Sequence, residues 1–260
     1  AIDIILDSYF NYLSKDKDLV NNPSARVPIC LCLDLSGSMN TVEGGEYRDT
    51  GRTEMIDGKL YNIVEGGETR VGELQNGLEL FFDAIKNDDM AVDAAEVSIV
   101  GFSNNAKKLL EFDSIEKQQL PTLEADGETA MGEGVNMALD MLEERKNLYK
   151  NYGVQYFQPW LVIMSDGENN GSPEQLQKAI QRVETLAYSK KLTVFAIAIG
   201  KDADMNLLSK LSPRRRPVRL QGMKFKEFFE WLSKSVSRTS SSQPGEKVQL
   251  PSVDDWVTIS

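Results

Sequence analysis

From residue 27 onward, short apolar runs alternate with longer stretches of helical period. Val27-Pro28-Ile29-Cys30-Leu31-Cys32-Leu33 is almost continuously apolar, which predicts a central strand covered on both faces. Trp160 to Met164 and Leu192 to Ile199 read the same way, and Gly200 ends the latter. Ala95 to Phe102 predicts a further strand, with Lys107 to Phe112 as its hairpin neighbour because Ser103-Asn104-Asn105 has turn chemistry. Val218 to Leu220 predicts a short strand. Val71, Leu74, Leu78, Phe81, Phe82 and Ile85 have helical spacing, and Met131 to Leu148 places Val135, Ala138, Leu139 and Leu142 on one face. Ser172 followed by Pro173 is an N-cap with proline at the first helical position, opening a helix to about Ser189. Met205 to Leu211 and Phe225 to Val236 predict the last two helices. The alternation predicts an α/β fold, a doubly wound and mainly parallel six-stranded sheet with helices on both faces and one antiparallel edge strand. Ligands of such sheets sit beyond the carboxyl ends of the strands.

Three segments stand outside this pattern. Residues 1–24 read as an N-terminal extension, an amphipathic helix followed by a polar Asn-Asn-Pro linker. The domain spans 25–236, and within it residues 40–70 interrupt the step from first strand to first helix, for which ~2–6 residues suffice. Inside that insertion Met55 to Tyr61 reads as a hairpin with a type I′ Asp57-Gly58 turn, bracketed by Gly44-Gly45 and Gly66-Gly67. Residues 237–260 form a tail expected to dock on the domain through Trp256. No internal repeat is present.

Composition then narrows the chemistry. Of the 260 residues, 41% are hydrophobic and 27% charged, a globular rather than disordered balance. The net charge of −11 argues against a broad phosphate-binding face and so against nucleic acid. No apolar run approaches the ~20 residues of a membrane span, and the start lacks the basic region of a signal peptide. The expected location is therefore cytoplasmic, without membrane contact. The sequence contains no histidine, which removes Ser-His-Asp and Cys-His catalysis and zincin-type sites. Cys30 and Cys32 flank Leu31 on one face of a strand and read as reduced core residues rather than a disulfide or zinc pair.

Three polar clusters fall where a doubly wound sheet places its crevice. Asp34-Leu35-Ser36-Gly37-Ser38 follows the first strand, Gly127-Glu128-Thr129-Ala130 opens the helix at Met131, and Ser165-Asp166-Gly167-Glu168 follows the Trp160–Met164 strand. Asp34, Ser36 and Ser38 alternate along a chain leaving a strand, so they can converge on one point. Oxygen-only ligands suit Mg²⁺ or Mn²⁺, with Ca²⁺ in the same class, rather than zinc.

Asp-x-Ser-x-Ser at residues 34–38, a distant Thr129 and a later Asp166 resemble the metal-ion-dependent adhesion site of von Willebrand factor A domains. The resemblance covers about residues 27–236. It implies that Ser36, Ser38 and Thr129 ligate the metal through hydroxyls, while Asp34 and Asp166 act through water or hydrogen bonds. Such an ion is under-neutralised and attracts a Glu or Asp of a partner. Glu143 to Lys146, Tyr156 to Trp160, Phe228 to Ser233 and Pro244 to Pro251 further resemble bacterial TerY-like proteins, stand-alone A domains linked with tellurium resistance. That resemblance implies an intracellular stress or phospho-signalling role, with an associated kinase or PP2C-type phosphatase as partner; the 1–24 extension and the 40–70 insertion depart from it.

Two features remain. Pro213-Arg214-Arg215-Arg216-Pro217 is a basic run in an acidic chain, expected at the end opposite the metal and read as a solvated loop ahead of an anion site. The acids of the insertion (Glu43, Glu46, Asp49, Glu54, Glu65, Glu68) start beside the metal loop, and one of them is a candidate to fill the open coordination position. The leading reading is a cation-dependent protein-interaction module and not an enzyme. A metal-dependent phosphohydrolase is disfavoured because position 36, where an aspartyl-phosphate enzyme carries its second Asp, is Ser, and because no His supplies a base. An extracellular adhesin is the third reading.

Overall fold

The computed structural model describes residues 17–56, 58–166, 168–220, 222, 224–253 and, by backbone alone, 257–258. Residues 17–21 are helical, whereas 1–16 and Trp256, and with them the amphipathic-helix and tail-anchor expectations, lie outside the described residues. The sheet is built from β1 (Val27–Asp34), β4 (Ala95–Phe102), β5 (Ala106–Ser114), β6 (Trp160–Ser165), β7 (Thr193–Ala198) and β8 (Val218–Leu220), in the order β5-β4-β1-β6-β7-β8. All neighbours are parallel except β4 and β5, the antiparallel edge. Residues Val257–Thr258 of the tail add a short antiparallel strand, β9, beside β8.

Chain order reverses across β1, whose neighbours β4 and β6 lead to opposite halves of the sheet. That is where a doubly wound sheet opens its crevice. β1 is wholly buried, and its alternate side chains serve two cores. Ile29, Leu31 and Leu33 join one face with α1 (Arg70–Lys86) and α6 (Phe225–Ser240), while Cys30 and Cys32 face α3 (Met131–Tyr152) and α4 (Pro173–Tyr188). Both thiols are free and buried, as read from sequence. The short helices α2 (Ala91–Ala94) and α5 (Met205–Lys210) complete the two layers. Ser172 caps α4 by accepting a hydrogen bond from the Gln175 amide.

At the amino end of the sheet a charged cluster is buried. Glu96 accepts 2.8 Å hydrogen bonds from Nε and Nη2 of Arg145, receives the Tyr149 hydroxyl, and lies 3.4 Å from Nε of Arg26. All four side chains are buried; Glu96, Arg145 and Tyr149 satisfy one another in place of water, while Arg26 Nε makes only the ion pair and the Arg26 Nη atoms bond the carbonyls of Asp18, Asn22 and Ser24.

The insertion is longer and more regular than its turn signal implied. β2 (Val42–Ile56) and β3 (Lys59–Thr69) form one antiparallel hairpin, paired from Val42↔Thr69 at its base to Ile56↔Lys59 at its tip. Gly44-Gly45 and Gly66-Gly67, read as brackets around a short hairpin, instead lie within the strands at register shifts. Asp57 is outside the described residues, and the expected turn type with it. Tyr47, Met55, Ile56 and Leu60 leave the hairpin with exposed apolar surface.

Candidate metal centre

The first strand ends at Asp34, and the chain then enters a tight turn rather than a helix. Residues Gly37–Asn40 form a single 3-10 turn pinned by Met39, which is fully buried. The Asp34 carboxylate accepts the Ser36 amide at 2.9 Å and the Ser165 hydroxyl at 2.7 Å. Asp34 therefore shapes the turn from beneath while its own side chain is out of solvent.

From there a hydrogen-bonded row leads outward. Ser36 Oγ and Ser38 Oγ stand 3.0 Å apart, and Ser38 Oγ donates to Asp166 Oδ1 at 2.8 Å. Ser36 and Ser38 line a cleft of about 590 Å³ together with Thr129. Thr129 is brought there by loop-to-loop bonds: Gly37 N to Gly127 O at 2.9 Å, Asp126 N to Leu35 O at 2.9 Å, and Asn170 N to Thr129 O at 3.0 Å. Gly127 has φ +75°, and a Cβ there would stand 2.5 Å from Asn104 Oδ1, whose acceptor holds the Glu128 amide. Among the described residues the Thr129 hydroxyl has no hydrogen-bond partner, so it is available to the cleft. The structure thus brings Asp34, Ser36, Ser38, Thr129 and Asp166, from three separate loops, to one place.

Burial, then the neighbouring charge of Asp166, pushes the Asp34 carboxyl up to about 7, against lowering by its Ser36 and Ser165 hydrogen bonds. Asp166 has a cation of its own, which sequence reading did not single out. Arg70 Nη1 donates to Asp166 Oδ2 at 2.8 Å while its Nε donates to Glu43 Oε2 at 2.6 Å. Gly200, at the end of β7, leaves the room: a Cβ there would stand 2.5 Å from Nη2 of Arg70. One signal was legible, since a cation at the first position of a helix opposes the helix dipole and calls for a local reason.

The acids of the insertion are placed differently from one another. Glu43 is engaged by Arg70, and Glu65 pairs with Arg48 at 2.7 Å. Asp49 and Glu54 line the cleft opposite the serines, together with Tyr47, Ile56 and Ile63 of the hairpin. With Lys59 and Asn62 of the same hairpin, the cleft has a hydroxyl floor and a wall that mixes acidic, basic and apolar side chains. The side-chain donors of Asp34, Ser36, Ser38, Thr129 and Asp166 are all oxygens; among the described residues no group of three acids, thiols or imidazoles converges as a metal site. A hydroxyl-rich oxygen set over buried carboxylates fits a hard divalent ion.

A family model, the von Willebrand factor type A domain, matches residues 67–230, more than half of the sequence. The chain belongs to that family. Its six-stranded sheet, antiparallel edge strand and flanking helices agree with solved structures of the same fold. A von Willebrand factor type A protein from Catenulispora acidiphila is 16% identical with a TM-score of 0.53, covering 83% of this chain and 43% of its own. Proximal thread matrix protein 1 from the mussel byssus is 17% identical with a TM-score of 0.52, covering 83% and 47%. The PilB minor pilin from Streptococcus sanguinis is 14% identical with a TM-score of 0.53, covering 82% and 62%. This chain thus spans less than half of the length of the first two. No curated protein matches it. Domains of this family are known for metal-dependent protein interactions and are generally interaction modules rather than enzymes. Among the described residues no helix is long and apolar enough to cross a membrane.

Proposed function

We propose that this von Willebrand factor A domain is a divalent-cation-dependent protein-interaction module, with Asp34, Ser36, Ser38, Thr129 and Asp166 as its metal site. The observation that carries the reading is that Ser36 and Ser38, tied to each other and to the buried Asp166 by hydrogen bonds, line the same cleft as Thr129. Ser36, Ser38 and Thr129 would hold the ion directly; Asp34 and Asp166 would hold the serines and ordered water in place. The bound ion would supply an electrophilic point that accepts a carboxylate. Neutral hydroxyl ligands leave that point under-neutralised, so a partner's Glu or Asp completes it. Mg²⁺ is the proposed ion from the hard-oxygen set, with Mn²⁺ and Ca²⁺ as chemical relatives. One mussel byssus structure is described with a zinc-occupied motif, so zinc belongs in the test.

Arg70 adds a control on this site. Its guanidinium already compensates Asp166, and Glu43 at the foot of the hairpin holds it there. Hairpin and metal site are thereby linked through one side chain. A partner carboxylate entering the cleft would meet the ion and the hairpin wall together, with Arg70 behind Asp166.

For the setting we propose a bacterial intracellular stress or phospho-signalling system of the tellurium-resistance type, cytoplasmic, with a kinase or PP2C-type phosphatase as partner. This rests on the resemblance to TerY-like proteins. The extracellular adhesin reading has an observation of its own, namely that pilin and byssus proteins share the fold. Phosphohydrolysis lacks one, since position 36 is a serine bonded to Ser38 rather than a second nucleophilic carboxylate.

Calorimetric titration of the full chain with Mg²⁺, Mn²⁺ and Zn²⁺, for the native protein and for Ser38→Ala and Thr129→Ala, tests the site. Saturable one-site binding, weakened about tenfold or more in each variant, is expected. Equal binding by all three proteins would overturn the assignment. Capture of partners from native extract with Mg²⁺, repeated with EDTA, then separates intracellular from surface partners.

A further inference from the structure

The end of the sheet opposite the metal site carries a second cleft, of about 1,050 Å³. Pro159-Trp160 and Thr193, at the starts of β6 and β7, form part of its wall. Asp166 lies just past the other end of β6, and Asp34 at the same end of the neighbouring parallel strand β1, roughly 20 Å away for a six-residue strand. In a chain of net charge −11, seven basic side chains line this cleft against two acids. Lys150, Lys190, Lys191, Arg214, Arg215 and Lys247 come from four separate segments, and none of them forms a salt bridge among the described residues.

Several observations set this cluster apart from an ordinary solvated surface. Arg215 lies over the Phe195 ring, 5.0 Å from its centroid, so one arginine of this otherwise exposed run is anchored on the domain. Lys190 has φ +57°, the single positive φ outside glycine among the described residues, a conformation that disfavours any side chain. Glu143 is held below the ordinary carboxylate range, first by its hydrogen bond from Lys146 and further by the charges of Lys150 and Lys191. The local field is therefore positive even where an acid is present.

We propose that this cleft is a second, metal-independent binding site that takes an acidic segment of a partner protein, with carboxylates on the basic rim and an apolar residue on the floor. Charge complementarity selects an acidic occupant. The floor, made by Phe157, Trp160, Phe195 and Leu250, selects one with apolar character. Cations dispersed over four segments suit an extended peptide, whereas a lone phosphate needs donors converging on one point. The overall negative charge opposes nucleic acid.

The test is fluorescence anisotropy of a labelled Glu-rich peptide with a central Leu, titrated with the full chain in EDTA so that the metal site is silent. Saturable binding that weakens as salt rises is expected. Lys191→Glu/Arg214→Glu keeps the Arg215–Phe195 contact and is expected to weaken binding about tenfold or more, while Lys107→Glu/Lys108→Glu on β5, a charge-matched control, changes it less than about twofold. Lys150→Glu alone provides an independent reading of the same sign if the double variant melts early. Absence of saturable binding, equal losses in cleft and control variants, or tighter binding of inorganic polyphosphate than of the peptide would overturn the proposal.

Discussion

Replacing Arg70 by Met removes one positive charge and keeps the unbranched apolar stem of the side chain. The guanidinium touches Asp166 at 2.8 Å, and Asp166 touches Ser38 at 2.8 Å through its other oxygen. With the carboxylate between them, the guanidinium would stand about 7 Å from an ion held on Ser38. A unit charge and a divalent ion at that separation repel by roughly 1–2 kcal/mol at an effective dielectric of about 50–80, suited to a solvent-facing cleft. Arg70→Met should therefore tighten Mg²⁺ binding about five- to thirtyfold. Arg70→Lys, which keeps the charge, should leave the affinity within about threefold. Glu43→Gln works in the opposite direction, because it strips the guanidinium of its second carboxylate and leaves the positive charge less compensated. Calorimetry on the full chain reads all three. Unchanged or weaker binding by Arg70→Met would refute the electrostatic argument and make Arg70 a strut for Asp166.

The other expectations concern stability as well as binding. Glu96→Ala leaves Arg26 and Arg145 buried beside Tyr149 without their shared carboxylate, and should cost about 3–5 kcal/mol in urea unfolding. Asp88 accepts the Met90 and Ala91 amides at 3.0 and 2.8 Å and the Ser237 hydroxyl; desolvation raises its pKa, but these bonds outweigh that and leave it lowered. A depressed carboxyl contributes stability that is complete above its unfolded pKa of about 4 and is lost as pH falls through the folded value. Asp88→Ala should thus cost about 1 kcal/mol at pH 7, with the difference from the native chain shrinking below about pH 4 in pH-dependent melting. Lys190→Gly should raise the melting temperature, by about 1 kcal/mol of relieved left-handed strain, while weakening the acidic peptide about two- to threefold.

The sheet was legible in the sequence because buried parallel strands leave a signal that depends on neither partner nor register. Val27–Leu33 and Trp160–Met164 are apolar at consecutive positions, which only coverage on both faces permits. Asp34, Ser36 and Ser38 were legible because they lie within five residues, and Thr129 and Asp166 because each sits at an element boundary. Arg70 was not. Its role depends on Glu43, Asp166 and Gly200, which are brought around it only when the hairpin folds back and β7 takes its place in the sheet. The buried Glu96 cluster escaped for a similar reason, since it joins Arg26 just before β1 to Glu96 of β4 and to Arg145 and Tyr149 of α3. The hairpin was underestimated because its glycines look like turns in sequence, whereas they sit at irregularities inside two long strands.

Val42 pairs with Thr69 at the base of the hairpin, and the Arg70 amide donates to Thr41 O at 3.0 Å. Seen from the domain, the excursion leaves and returns at adjacent points, so it resembles a tight turn whatever its length. The chain entropy lost on closing it resides in its own ladder and is not charged to the sheet below. That makes residues 42–69 an exchangeable module. Hairpins of other length or sequence can be exchanged between the same two feet without altering the register of β1 or α1, provided that an acid at position 43 is kept to hold Arg70. On the proposed reading, the tip can diversify while the proposed metal site stays fixed, a division of labour that would let one scaffold serve many partners.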